Sequence, residues 1–178
     1  VVLMIANTNN GQLEEAKIFH TINSKSRRVA TNLSQQFILR KMEDMQGKPI
    51  SLEEKIPRKG TYKDYMPYVV KLVDVLNNTE GVWDSQIIMP NEDFGNKPIN
   101  QVSFVASIKA FAKTEASKAE WSIQEMKNVI DAYWTAIGRL CPEAMKYWRG
   151  NPAPDGSYYL LRTTTGVFSL NKLMTEIV

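Results

Sequence analysis

Between Ser122 and Leu140 the apolar residues Ile123, Met126, Ile130, Tyr133, Ile137 and Leu140 recur at alternating steps of three and four. That period belongs to an α-helix of about five turns with one continuous apolar stripe. Ser122 followed three residues later by Glu125 supplies the capping box that starts it. A stripe of this length is stable only against other apolar faces, so the helix is expected to be a central packing element, with Ile130 and Ile137 buried.

The rest of the chain supplies partners for it. Val1 to Ala6 is an unbroken apolar run that reads as a buried strand, left through the turn residues Asn7 to Gly11. Leu13, Ala16, Phe19 and Ile22 mark a first helix ending near Asn23. Leu33, Phe37, Ile38, Met42 and Met45 mark a second, closed by Gly47-Lys48-Pro49, and the two are expected to form a hairpin. Residues 47 to 62 read as a loop, because Pro57 and Gly60 leave room for no more than one turn after Ser51-Leu52-Glu53-Glu54. Pro67 suits the first turn of a helix whose face is Val69, Val70, Val73 and Leu76, stopped by Asn77-Asn78. Trp83 to Met89 reads as a short strand and Pro90 to Asn96 as its turn. Phe104, Val105, Ile108 and Phe111 begin another helix, and the polar stretch Thr114 to Glu120 reads as a joint. Pro142 opens a short helix ended by Gly150, Pro152 and Pro154, with a turn at Asp155-Gly156. Tyr158 to Leu161 is expected to be a strand, Thr163 to Gly166 a tight connection, and Val167, Leu170, Met174 and Ile177 the face of a last helix. The fold class is therefore α+β and helix-dominated.

Composition excludes several functions. No apolar run approaches the roughly 18 to 20 residues needed to cross a bilayer. A single cysteine, Cys141, forms no internal disulfide and no Cys-based zinc site, which points to a reducing cytoplasm. The net charge of +3 permits a polyanionic partner without demanding one. Its distribution is more informative, because Lys25, Arg27 and Arg28 fall together, as do Lys55, Arg58, Lys59 and Lys63.

The chemistry-bearing residues are sparse. His20, the only histidine, has no partner at metal-ligand spacing. Cys141 lies before Pro142 with no evident base. The acidic pairs Glu14-Glu15, Glu53-Glu54 and Glu92-Asp93 lack the companion Lys and strand context of a metal-dependent nuclease and read as solvated charge. The tryptophans and most tyrosines fall at helical or strand spacing, where core packing is a better account than base stacking. No catalytic residue, metal site or cofactor is expected. The exception to this bland picture is the connection Asn23-Ser24-Lys25-Ser26-Arg27-Arg28. It brings backbone N–H groups, hydroxyls and three cations onto one short segment, which fits either a phosphate-holding loop or a solvated basic turn.

The segment from Glu15 to Val29, with its Phe-x-x-Ile-Asn followed by a polar, basic run, resembles the DGQHR-domain proteins. Trp83 to Met89, Pro98 to Val105, Tyr133 to Ile137 and Leu160 to Val167 resemble that family's downstream blocks in the same order. The resemblance implies prokaryotic DNA biology, since the family includes regulators encoded with DNA phosphorothioation systems, and an N-terminal part similar to the ParB-like fold. It implies a division into residues 1–46, the C-terminal end of a ParB-like region, and 47–178, a mostly helical remainder. It also implies DNA as partner, with Asn23, Ser24, Lys25, Arg27 and Arg28 at the phosphate. The Arg27 spacing departs from the ParB pattern, which leaves a nucleotide-binding role for it in doubt. DNA-modification enzymes and a second copy of the chain are further partner classes consistent with it. Two rivals stand beside this reading: a nucleotide hydrolase or nuclease completed by an upstream segment, and an adaptor that never touches DNA. Because Val1 to Ala6 needs neighbouring strands, the reading expects upstream sequence carrying an Asp-Gly-Gln-His-Arg-like element; the full gene sequence checks this, and its absence removes the main support for the family.

Overall fold

The computed structural model describes residues 31–57, 61–90, 92, 96–116 and 120–177. The strand expected at Val1 to Ala6 and the helix at 13 to 22 lie outside these residues, and so does the hairpin expected between that helix and the next. Among the described residues the order is α1 (Thr31–Gln46), α2 (Tyr62–Asn78), β1 (Ile87–Ile88), β2 (Ile99–Asn100), α3 (Gln101–Phe111), a single π-helical turn (Ala112–Ala116), α4 (Ile123–Leu140), α5 (Pro142–Lys146) and α6 (Thr164–Ile177). The class is α+β and helix-dominated. Its only strands among the described residues, β1 and β2, pair in parallel with Ile87 opposite Ile99 and Ile88 opposite Asn100.

The long α4 helix starts where the capping box places it. Ser122 Oγ accepts from the Glu125 N–H, and the Glu125 carboxylate accepts from the Ser122 N–H at 2.7 Å. Two of the first-turn N–H groups that a helix leaves unmade are used by the 47–57 loop: Ile123 donates to the Glu54 carbonyl and Gln124 to the Leu52 carbonyl. Ile123, Met126, Ile130 and Trp134 are fully buried. Trp134, not Tyr133, continues the buried stripe; Tyr133 and Ile137 are partly buried, and Leu140 is exposed. Against α4 packs the apolar face of α2 (Met66, Val69, Val70, Val73, Leu76), while α3 (Phe104, Val105, Ile108, Phe111) packs on α6, all in one core that also holds Leu39 of α1.

Several local expectations are corrected. The α2 helix begins at Tyr62, so Pro67 sits inside it and not in its first turn. The earlier start comes from Thr61, whose N–H and hydroxyl both donate to the Asp64 carboxylate. Of the strand expected over Trp83 to Met89, only Ile87 and Ile88 are extended; residues 82–86 turn, with Ser85 at φ 53°. Asn77, buried at the end of α2, fixes that turn by accepting from the Ile87 N–H at 2.9 Å. Tyr158 to Leu161 is no strand. Its side chains point largely to solvent, and the Tyr159 N–H to Tyr147 carbonyl bond is too little to build a ladder. Thr164 and Gly166, expected in a connection, already belong to α6. Gly166 is needed there because a Cβ would lie 2.2 Å from the Leu160 carbonyl oxygen. On α6 the buried residues are Val167, Asn171 and Met174, whereas Ile177 is exposed.

Asn171 is completely buried and both polar atoms of its amide are bonded. Its Oδ1 accepts from Trp134 Nε1 at 3.0 Å, and its Nδ2 donates to Ser107 Oγ at 2.8 Å, which in turn donates to the Phe104 carbonyl. One side chain thus fixes α6 to both α3 and α4. Because Ile130 is fully enclosed at the centre of the α4 stripe, Ile130→Ala should lower stability by about 2–5 kcal/mol in urea unfolding. A loss under about 1 kcal/mol would show that the site collapses around the smaller side chain and that α4 is not the element on which the core is built.

Candidate functional site

The residues singled out for phosphate binding, Asn23, Ser24, Lys25, Arg27 and Arg28, lie outside the described residues, as does His20. Of the second basic patch, Lys55 is exposed and sits 3.7 Å from Glu120. Cys141 is exposed at the joint between α4 and α5. Of the acidic pairs, Glu14, Glu15 and Asp93 lie outside the described residues, while Glu54 and Glu92 have local structural partners. Glu54 accepts from the Ser51 N–H and faces Lys48, and Glu92 accepts from the Met89 N–H and from Lys97 at 2.7 Å. Among the described residues no group of His, Cys, Asp and Glu is arranged to hold a metal ion, and no helix is long and apolar enough to cross a membrane.

Two buried polar constellations remain, and the sequence reading weighed neither. The first joins α1, α2 and α3. Asp74 Oδ1 accepts from Gln36 Nε2 at 3.1 Å and from Gln101 Nε2 at 2.9 Å. Gln101 and Gln35 are buried, and the carbonyl oxygen of each has no donor among the described residues. Burial pushes the Asp74 carboxyl up to about 6, against the opposing pull of the two amide bonds and Lys71, with Glu43 adding repulsion.

The second joins the β1 turn, the segment after α5 and the approach to α6. Arg162 is 6% exposed, and its guanidinium lies over two indoles, 4.7 Å from the Trp148 ring centre and 5.4 Å from that of Trp83. Nη1 donates to the Met145 carbonyl at 3.1 Å and Nη2 to Gln86 Oε1 at 2.9 Å. No carboxylate pairs with Arg162 among the described residues, and burial lowers its pKa to about 10, so it stays charged at neutral pH. Arg162 Nε, Trp83 Nε1 and Trp148 Nε1 are all buried donors without an acceptor there. Gly150 covers this edge closely, since a Cβ on it would lie 3.1 Å from Trp148 Nε1.

No protein-family model, curated protein or solved structure matches the chain.

A sequence signal for the Arg162 constellation existed in principle. An arginine between the apolar pair Leu160-Leu161 and a run of threonines lies in a chain with four tryptophans and few acids nearby. Asp74 gave a clearer one, as an acid between Val73 and Val75 in the otherwise apolar run Val69 to Leu76, interrupted elsewhere only by Lys71.

The raised Asp74 carboxyl makes stability pH-dependent with a definite sign. Its folded-state pKa of about 6 exceeds the ordinary value of 3.8, so between those values the folded state binds more protons than the unfolded one. Stability from this group is therefore full below about pH 4 and declines as pH rises through 6, by at most about 2–3 kcal/mol. Asp74→Asn, which keeps an acceptor for both glutamines, should stabilise the protein at pH 7.5 and flatten the dependence from pH 4 to 6.5. Urea unfolding across that range checks it, and an unchanged slope in the variant would assign the dependence elsewhere.

Proposed function

We propose that this chain is a DNA-binding regulator or accessory protein of a prokaryotic DNA-modification system of the phosphorothioation type, of the DGQHR-domain kind. The observation that carries the reading is where its resembling blocks lie in space. Trp83 of the first block stands edge-on to Phe104 of the second, with ring centres 4.7 Å apart, and to Trp134 of the third at 4.8 Å. Arg162 of the fourth covers the Trp83 ring and bonds Gln86 of the first. Ile87 and Ile88 pair with Ile99 and Asn100. Blocks scattered over more than 80 residues of chain thus act as one packing unit, which favours a shared fold over a chance series of short similarities.

The DNA contact is assigned to the basic connection Lys25, Arg27 and Arg28 with Asn23 and Ser24. This segment leads into α1, whose Arg40 and Lys41 are exposed. Cations of this kind position a protein on phosphates without reading bases. Replacing both Arg27 and Arg28 with Ala should weaken binding about equally on unrelated duplexes. It should also flatten the log K against log salt slope by about 1.8 units. The nuclease or nucleotide-hydrolase reading expects the double variant to lose nucleotide-dependent thermal stabilisation instead, and the adaptor reading expects neither change. Salt titrations of the wild type and the double variant decide, and an unchanged slope removes the segment from the DNA interface.

A further inference from the structure

We infer that Arg162, Trp83 and Trp148 form a binding site for a small, singly charged carboxylate, a role separate from DNA binding. A guanidinium carries five N–H groups on three nitrogens; Nη1 makes one bond, to the Met145 carbonyl, Nη2 makes one, to Gln86 Oε1, and each keeps a second N–H, while Nε makes none. The Nε–H remains, and so do the indole N–H groups of the two rings on which the guanidinium lies. Each buried donor without an acceptor costs about 1–3 kcal/mol. Three of them gathered on Arg162 and the two rings it covers are a far stronger signal than one.

Charge then selects the ligand. The three side chains carry one positive charge and offer only donors, so the complement is an acceptor-rich anion. Arg162 is 94% enclosed by the fold, as its 6% exposure states. In that setting a single negative charge neutralises the site, whereas a phosphate dianion would leave a net buried charge, which is costly. A carboxylate is planar, bears two acceptor oxygens, and matches the side edge of a guanidinium through paired N–H bonds. The flanking indoles exclude water from that pair and contribute cation–π attraction to the free state. Entry is through the surface turn at Trp148 to Asn151, which is closed by reciprocal backbone bonds between those two residues, with Arg149, Gly150 and Asn151 exposed. Displacing this turn uncovers the Trp148 edge that Gly150 shields.

The four tryptophans make the test direct, since each gives one indole N–H signal in a ¹⁵N-correlated spectrum of the intact chain. Sodium acetate is titrated against sodium chloride at matched ionic strength, with sodium phosphate at pH 8 as the dianionic arm. The expected result is a saturable downfield shift of the Trp83 and Trp148 signals with acetate, while Trp134, already bonded to Asn171, stays in place. Trp148→Phe keeps an aromatic face under the guanidinium but replaces the indole by a smaller ring without the orphan N–H; with the fold retained by melting temperature, it should weaken acetate binding about tenfold. Arg162→Met should abolish saturation; if it fails to fold, Arg162→Lys, which keeps the charge but loses the fork, should weaken binding at least as much as Trp148→Phe. The inference is overturned if no indole signal saturates, if Trp148→Phe binds acetate as the wild type does, or if phosphate dianion binds more tightly than acetate.

Discussion

The indole of Trp83 is the point on which the described structure turns. It is fully buried, stands edge-on to both Phe104 and Trp134, and receives Arg162 on its face. Edge-to-face aromatic pairs add about 0.5–1.5 kcal/mol each beyond the area they bury. More important is what they connect: the turn after α2, the α3 helix, the α4 helix and the segment before α6. A loop position therefore organises the core, and the helices take their places around it. The turn that carries Trp83 is held in return by Asn77, and Gly81 permits the close approach of Asp131 on α4, which a Cβ would meet at 2.7 Å.

Apolar packing alone would leave α6 free to slide or rotate, since Val167, Leu170 and Met174 present interchangeable surface. The Trp134–Asn171–Ser107 chain removes that freedom. Its three bonds form together only in one register of α6 against α3 and α4. Buried polar networks cost stability when half satisfied and specify a unique arrangement when complete. In this one every polar side-chain atom has a partner, which explains how a fully buried asparagine is tolerated at the position a smooth apolar stripe would fill with leucine.

These features also mark how far the sequence was legible. Periodicity and capping located α4 because Ser122, Glu125 and the stripe agree, and closure at Gly47 located the end of α1. The start of α2 was missed because Pro67 suits a first turn, and the Thr61–Asp64 cap is followed by Tyr62 and Lys63, which show no apolar period. Tyr158 to Leu161 has strand-like residues, but strand structure requires a neighbour, and none pairs with it among the described residues. Gly166 was taken for a turn residue although its role is to let the Leu160 and Leu161 carbonyls approach the helix. The buried side of α6 was half legible: Val167 and Met174 show in the pattern, while Asn171 is polar and invisible to it. The Arg162 and Asp74 constellations are held by hydrogen bonds between residues 17 to 76 positions apart, and no local pattern encodes such a meeting.

Arg162 and Asp74 share a property that sets them apart from the other charges described. Lys127 and Asp131, or Lys97 and Glu92, are paired at 2.6–2.7 Å, which needs no account beyond local folding. Arg162 has no described carboxylate, and Asp74 is held by two neutral amides beside amide oxygens that lack donors. A leucine or methionine at either place would avoid the desolvation cost, and such replacements are often neutral or stabilising when the lost group served only packing. Sequences are locally consistent except where another demand intervenes, and departures gather at sites that bind or switch. The two charges also sit where separate elements meet, Asp74 at the α1–α2–α3 junction and Arg162 where the β1 turn, the end of α5 and the approach to α6 converge. A change in the charge or partner of either group acts on several elements at once, so occupancy at Arg162 reaches the α6 register through Trp83 and Trp134, the same contacts that hold the core together.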